Sequence, residues 1–188
     1  MITREQARKL LHNNMESVNL RRHCYSVAAV METLASKFGG DAENWYIAGL
    51  LHDADYEKTK DDPKQHTRLV LEWLQDYGVS QEIKDAILAH AWGYVEGNPK
   101  PATSMQWALY CCDELTGFIV AVTLVRPSKK IKDVTVENIL SKWKEKSFAA
   151  GVHREQIKLC EEKLRIPLGE FVTIALIAMQ GIEKELGL

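Results

Sequence analysis

The sequence of 188 residues lacks the features that mark membrane, secreted and polyanion-binding proteins. No apolar run approaches the ~18 residues that a membrane span needs. The longest runs, 118–125 and 171–179, are each interrupted by a threonine. Lys and Arg number 24 against 26 Asp and Glu, so a strongly basic surface for nucleic acid is not expected. The sequence therefore predicts a globular protein with neither a membrane nor a nucleic acid as its partner.

Paired cysteines are also missing. Cys111 and Cys112 are adjacent, Cys24 and Cys160 are isolated, and none forms a C-x-x-C pair. A chain of this length can bury a core without disulfides, so reduced thiols fit best. The first residues do not have the basic-then-apolar pattern of a secretory signal. We therefore expect a cytoplasmic protein.

Strand patterns are almost absent, whereas apolar residues recur near every 3.6 residues along the whole chain. Capping residues and helix breakers divide this pattern into segments. The predicted fold is all-α. Its helices begin at or next to Thr3, Asn19, Asp41, Pro63, Ser80, Thr103, Thr135, His153 and Leu168. The helix after Pro63 is expected to continue to Gly78.

The stretch Arg126-Pro-Ser-Lys-Lys is the best candidate for a boundary. It separates a helical core, residues 1–126, from a C-terminal helical extension, residues 127–188. Because the stretch is too short to be a flexible linker, the extension is expected to pack on the core as one compact unit.

Four histidines and two aspartates interrupt apolar helix faces at positions where hydrophobic residues are expected. The six residues are His23, His52, Asp53, His66, His90 and Asp113. An ionised aspartate among apolar side chains is costly unless it is paired or bound to a metal. Imidazoles combined with carboxylates suit Zn, Mn, Fe or Co better than Ca. A shared metal site in the core is therefore predicted.

Simpler explanations exist for each residue taken alone. One inward-facing histidine is more often a core residue that is hydrogen-bonded to a carbonyl. Asp113 could pair with a buried arginine or cap a neighbouring helix. A plain helical scaffold with satisfied core histidines thus remains an alternative, although six coincidences on successive helices favour a site.

The order His23, His52-Asp53, Asp113 resembles the HD superfamily of metal-dependent phosphohydrolases. The resemblance covers roughly residues 15 to 125. The whole chain is also similar to a group of small bacterial proteins described as predicted HD-superfamily hydrolases. The segments that carry this similarity are His52-Asp-Ala-Asp-Tyr-Glu, Asp113-Glu-Leu-Thr-Gly and Lys146-Ser-Phe-Ala-Ala-Gly-Val-His-Arg-Glu-Gln.

The resemblance implies an HD-domain helical core and one or two divalent ions: Mn, Fe, Zn, Co or Ni, with Mg as a further option. The ligands of the first ion would be His23, His52, Asp53 and Asp113. His66 and His90 occupy the places of the histidines that two-metal members add, and Asp53 could bridge both ions. The sequence differs from better-known branches of the HD superfamily at two places. Ala54-Asp55 follows the His52-Asp53 pair, and no proline follows Gly93-Tyr94.

The resemblance also implies a reaction. A metal-activated water would hydrolyse a phosphate ester or anhydride of a small molecule, with a nucleotide as the expected class, and monoesterase and diesterase are not distinguished. The alternative is a metal-binding HD domain that acts as a non-catalytic nucleotide sensor or interaction module.

Further residues are candidates around this site. Besides Asp53, Asp55 is a catalytic candidate because it could orient water or move a proton, although it could also be a solvent-exposed carboxylate. Arg22, Lys58 and Thr116 are predicted to bind substrate. Arg22 adjoins His23 and could reach the mouth of the site. The other two have ordinary alternatives: a solvated charged loop for Lys58 and a bond to its own helix for Thr116.

Overall fold

The computed structural model describes residues 2–188, and within them the secondary structure is entirely helical. The α-helices are α1 Arg4–Asn14, α2 Val18–Phe38, α3 Ala42–Leu51, α4 Tyr56–Thr59, α5 Arg68–Trp73, α6 Gln81–His90, α7 Ser104–Leu124, α8 Val136–Trp143, α9 Arg154–Lys163, α10 Leu168–Gly181 and α11 Glu183–Leu186. Short 3₁₀ turns occur at Pro63–Gln65, Gln75–Tyr77 and Ile131–Asp133. The all-α prediction is confirmed.

Most helix ends lie where the capping residues predict them. Thr3 and Thr103 each form a capping box with the glutamine three residues later, which satisfies free N–H groups of the first turn. Asp41 caps α3 through the backbone N–H of Asn44. Gly39 ends α2 with a φ of 65°, a left-handed conformation that glycine adopts without the steric cost of a Cβ.

The prediction of one helix from Pro63 to Gly78 is wrong. A 3₁₀ turn covers Pro63–Gln65, the backbone then leaves the helix at His66, and α5 begins only at Arg68. The break centres on Thr67, whose φ of 71° is left-handed and rare for a β-branched residue. Buried contacts maintain this conformation, since the Thr67 hydroxyl accepts a hydrogen bond from the amide of Asn98 at 3.1 Å.

Three smaller differences occur elsewhere. The polar stretch before Pro63 contains the single turn α4. The helix predicted over 135–146 ends at Trp143, and the helix predicted over 168–186 is divided at Ile182 into α10 and α11. In each case a local break leaves the order of the helices unchanged.

Helices α2, α3 and α7 form the centre of the core. Helix α2 packs along α3 and also contacts α7, and α7 contacts α6 and α9. The approach of α3 to α2 depends on Gly49, because a Cβ there would lie 2.8 Å from the Cα of Ala28. This close contact fixes the end of α3 relative to α2.

The C-terminal extension packs on the helical core. Helix α10 lies against α2, and α8 and α9 lie against α7. Exposed ion pairs also join the two parts, Arg8 with Glu185 and Lys37 with Glu170, each at 2.7 Å. Arg154 donates to the carbonyl oxygens of Trp143 and Phe148, which holds the turn between α8 and α9.

By length and composition, α7 could cross a membrane, since its most apolar window has a mean hydropathy of 1.4. However, 67% of this window is buried by the other helices. The helices α9 and α10 together pass the same test but are bent by 108°. A core helix of a packed domain has these properties without any membrane.

Candidate metal centre

Five segments of the core bring the six predicted metal ligands together. His23 lies in α2, His52 and Asp53 follow α3, and His66 lies at the break before α5. His90 is the last residue of α6, and Asp113 lies in the middle of α7. All but the buried His52 line a cavity of about 570 Å³, a volume typical of small-molecule sites.

Asp53 lies at the centre of this cluster. Its Oδ2 atom is 3.5 Å from Nε2 of His52 and 3.7 Å from Nε2 of His23. Its Oδ1 atom is 3.2 Å from Nε2 of His90 and 3.4 Å from Nε2 of His66. The two carboxylate oxygens therefore face two different histidine pairs.

Asp113 completes one side of the cluster. Its Oδ1 atom is 2.9 Å from Nε2 of His23 and 3.5 Å from Nε2 of His52. The potential ligand atoms form two groups, and within each group all atoms lie within 4.8 Å of one another. The first group consists of His23, His52 and Asp113, and the second of His52, Asp53 and His90. His66 adjoins the second group through Oδ1 of Asp53.

The Nδ1 atoms of the four histidines all have partners that face away from the cluster. His52 contacts the carbonyl oxygen of Gly49 at 2.8 Å, and His90 contacts that of Ile87.

His66 bonds to the carboxylate of Asp55 at 2.8 Å, and His23 lies 3.3 Å from the hydroxyl of Thr116. Because Thr116 donates to the carbonyl of Asp113, its oxygen can accept from His23. These partners hold a proton on each Nδ1, so Nε2 is the nitrogen that would bind a metal once any proton on it is released.

Burial and opposite charges shift the pKa values in the cluster. Burial disfavours the charged form of His52, but the carboxylates of Asp53 and Asp113 outweigh it and raise the pKa to about 9. Burial alone would raise the pKa of both aspartates, yet the facing histidines lower it below its ordinary value. The pKa of His90 is lowered, chiefly by burial, so this ring is neutral at pH 7.

The donor set fits a divalent metal. It combines four imidazole nitrogens with the oxygens of two aspartates that stay ionised, and these are ligands of Mn, Fe, Co, Ni and Zn. Two half-buried carboxylates in one cluster also carry negative charge that a cation would compensate. Each histidine has the outer partner that metal-binding histidines need for orientation. The cluster can therefore hold a divalent cation, whose identity the donors do not fix.

Asp55 and Thr116 lie next to the ligands. Asp55 is buried, and its two oxygens accept from Nδ1 of His66 and from the backbone N–H of Val70, at 2.8 and 3.0 Å. Asp55 thus contacts the ligand His66 and does not line the cavity. Thr116 contacts His23 in the same outer position.

Arg22 and Lys58 lie away from the cluster. Arg22 lines a second cavity of about 360 Å³ together with Leu186, and His23 separates this space from the first. Lys58 donates to the side chain of Asn14 at 2.8 Å and lies over the ring of Trp73. The substrate-binding roles assigned to these two residues stay predictions.

Other residues that line the main cavity were not among the predicted site residues. Glu114 follows Asp113 in α7, Tyr94 lies in the loop after α6, and Lys60 follows α4. Their proximity in sequence to Asp53, His90 and Asp113 is the signal that could have indicated them. Neither their residue types nor their spacing differ from those of an ordinary surface.

Comparisons with known proteins agree with this geometry. A family model described as HD domain matches residues 20–110. Ribonuclease Y of Thermosipho melanesiensis is 28% identical over 116 residues, 62% of this chain and 20% of the ribonuclease. Ribonuclease Y of Geotalea uraniireducens is 28% identical over 109 residues, 58% of this chain and 20% of that protein. The chain therefore spans about one fifth of the length of these relatives.

Proposed function

Through residues 20–110 the chain belongs to the HD superfamily, and on this premise we propose that it is a metal-dependent phosphohydrolase. Its substrate would be a phosphate ester or anhydride of a small molecule, with nucleotides as the first class to test. One observation supports this proposal above all. The two oxygens of Asp53 face two histidine pairs, an arrangement that is suited to two neighbouring cations.

The residues that would hold the metal follow from this arrangement. His23, His52, Asp53 and Asp113 would hold the first ion. Asp53, His66 and His90 would hold a second. A bound divalent metal lowers the pKa of water and neutralises charge on phosphoryl oxygens. Mn, Fe, Zn, Co, Ni or Mg remain the ions to test.

The chain itself would bind and orient the substrate. Lys60 lines the cavity, and its ammonium can neutralise a phosphate oxygen. Asp53 would act in the reaction as a ligand common to both ions. Asp55 has both oxygens engaged by His66 and Val70, so we assign it a positioning role through His66 in place of contact with water.

Two other functions are less well supported. A non-catalytic nucleotide sensor needs a metal or a ligand pocket, but it does not need a carboxylate that bridges two histidine pairs. The similar proteins named Ribonuclease Y suggest RNA as a substrate. Against RNA, the chain has a net charge of −2 and Lys60 is the one Lys or Arg among the described residues that line the cavity.

Metal content is the first test of this proposal. Elemental mass spectrometry of protein purified without chelator or a His tag is expected to find about two equivalents of a transition metal, given the two-ion arrangement. About one equivalent would assign His66 and His90 to another role. None, even after loading with Mn²⁺, would contradict the metal site and favour the plain scaffold.

Turnover is the second test. The Mn²⁺-loaded protein is expected to hydrolyse a chromogenic phosphate ester, and Asp113→Asn to reduce kcat/KM by at least about a hundredfold because a charged ligand is lost. Asp133→Asn, which removes an exposed carboxylate in the 3₁₀ turn before α8, serves as the matched control. Metal binding without turnover of monoesters, diesters, nucleotides or RNA would favour the sensor.

Two further assignments belong to this proposal. Four buried cysteines without disulfides support a reducing, cytoplasmic location. We also retain residues 1–126 as the core that carries the site and 127–188 as the extension.

A further inference from the structure

Two cavity-lining residues that are not metal ligands are held by the C-terminal extension. Tyr94 and Glu114 both line the main cavity. The groups that fix them, His153 and Gln156, lie at the beginning of α9. The extension therefore contributes to the wall of the cavity beside the metal cluster.

The ring of Tyr94 has a defined position. Its hydroxyl donates to Oε1 of Gln156 at 2.7 Å. Gln156 is only 6% exposed, and its Nε2 donates to the carbonyl of Tyr110 at 2.7 Å. This second bond sets which end of the Gln156 amide faces Tyr94. Tyr94 itself is 52% exposed, so a large part of its ring is free for contact with a ligand.

Glu114 is fixed in a similar way. Its two oxygens accept from the backbone N–H and from Nδ1 of His153, each at 3.0 Å. The ring of His153 lies edge-on to that of Tyr94, with centroids 5.5 Å apart. A negative charge and an aromatic face are thus held side by side at the cavity.

The charges that line the cavity limit what can enter it. Among the described lining residues, Lys60 is the one Lys or Arg, and Glu114 adds a carboxylate beyond the metal cluster. Metal ions and Lys60 can balance the charge of a single phosphate. Additional phosphates would have no cation and would face Glu114, which repels them.

Extending the proposed phosphohydrolase function, on which this step rests, we propose that Tyr94 is a substrate-specificity residue. Its ring stacks on a planar ring in the leaving group, Gln156 positions it, and Glu114 selects leaving groups without negative charge. The substrate class is then a phosphate monoester of an uncharged molecule that carries a planar ring, as in a nucleoside monophosphate.

Non-hydrolysable phosphonates test this assignment without turnover. Calorimetric titration of the Mn²⁺-loaded protein with phenylphosphonate and methylphosphonate compares two ligands that share a head group and differ in the ring. Phenylphosphonate is expected to bind about tenfold more tightly because of the aromatic contact. Equal affinities would overturn the assignment of Tyr94, whereas no binding of either ligand would contradict the phosphate site itself.

Variants separate the ring from its support. Tyr94→Ala is expected to abolish the tighter binding of phenylphosphonate relative to methylphosphonate. Tyr94→Phe keeps the ring and is expected to retain at least half of the difference in binding free energy between these two ligands. Gln156→Leu should lower the preference while methylphosphonate affinity stays within twofold. Gln180→Leu is the matched control, since Gln180 also donates to backbone carbonyls of the extension, those of Ile131 and Val134, away from the cavity. If Gln180→Leu lowered the preference for phenylphosphonate as much as Gln156→Leu does, the role of Gln156 in positioning Tyr94 would be overturned.

Substrate charge is tested by kinetics with excess Mn²⁺. The kcat/KM for adenosine 5′-monophosphate is expected to exceed that for the diphosphate by about tenfold, a value that one unfavourable charge contact can produce. A preference for the diphosphate would overturn the selection by Glu114. Absence of turnover for both, with the phenylphosphonate preference intact, would contradict the hydrolase and leave the ring-binding role of Tyr94 standing.

Discussion

Each histidine around the cavity is oriented through its Nδ1 atom, and for His66 the orienting group is the buried carboxylate of Asp55. The same carboxylate accepts the backbone N–H of Val70 near the start of α5. One side chain therefore couples the direction of a metal ligand to the backbone after the break at Thr67. Mutation of partners of this kind typically lowers metal affinity or activity by about 10- to 100-fold.

Asp55→Asn tests this coupling. The amide keeps one acceptor oxygen, so either His66 or Val70 N–H loses its partner. Affinity for the more weakly held metal is expected to fall by about 10- to 100-fold, and stability by about 1–3 kcal/mol for a buried donor without an acceptor. Competition with a metal indicator and urea unfolding measure the two effects.

Asp62→Asn is the control for Asp55→Asn, because Asp62 is an exposed residue at the start of the neighbouring 3₁₀ turn with no side-chain cap bond. Its variant should bind metal like the original protein. If Asp55→Asn also did so, the orienting role of Asp55 would be excluded.

Among the elements, α2 and α3 pack closely against each other, and the site depends on this packing. His23 lies in α2 and His52 ends α3, so their relative position follows from the packing of these two helices. At the contact, Gly49 faces Ala28 and Met31 with no room for a Cβ. The distance between two ligands of one metal thus depends on a residue that touches neither.

Gly49→Ala is expected to destabilise the protein by about 1–3 kcal/mol, because overpacking must displace backbone. Its new Cβ would lie 2.8 Å from the Cα of Ala28 and 3.0 Å from Cγ of Met31. Metal affinity should fall with it. Gly117→Ala in α7 is the matched control: no atom lies within 4 Å of its Cβ, so a gain of about 0.5–1 kcal/mol is expected. Urea denaturation measures the free energy of unfolding of both variants. Equal stabilities would contradict the requirement for glycine at the contact between α2 and α3.

The sequence could predict what depends on helical periodicity and capping. Thr3, Asp41 and Thr103 cap the helices that they were expected to cap, and the inward position of Asp113 follows from its spacing in α7. These features are local, since a cap or a helix face involves residues a few positions apart.

What could not be predicted depends on contacts between distant segments. The left-handed Thr67 has no local signal, because the buried partner Asn98 that stabilises it is far away in sequence. Arg22 is next to His23, yet successive helical residues point about 100° apart, and it faces the second cavity. Tyr94 and Glu114 gain their positions from α9, which no pattern near residue 94 or 114 indicates.

For the whole molecule, the metal cluster joins segments that are far apart in the chain. Its ligands extend from position 23 to position 113 and come from α2, the end of α3, the break before α5, α6 and α7. A ligand that binds only the folded protein stabilises it by mass action. A bound metal should therefore stabilise the entire core.

Removal and return of metal test this expectation. Protein treated with EDTA should unfold at a lower temperature than protein with Mn²⁺ at about 100 times its Kd, where the stabilisation is about 2.7 kcal/mol. For a domain of this size, the midpoint should rise by roughly 5–10 °C. Ca²⁺ at the same concentration is the control and should have a smaller effect, because histidine ligands suit it poorly. Equal midpoints with and without Mn²⁺, Fe²⁺, Co²⁺ and Zn²⁺ would contradict a site in the folded core.

The Nδ1 atoms of His52 and His90 are oriented by carbonyls three residues earlier in their own chain segments, those of Gly49 and Ile87. Both ligands are therefore aimed as soon as their helices form, before any ion arrives. Synthesis and folding can then proceed in a cell that is short of metal, and loading can follow as a separate event. Which ion the protein carries would then depend on the geometry of the preformed nitrogen and oxygen donors and on the metals available at that later time, rather than on raw affinity alone.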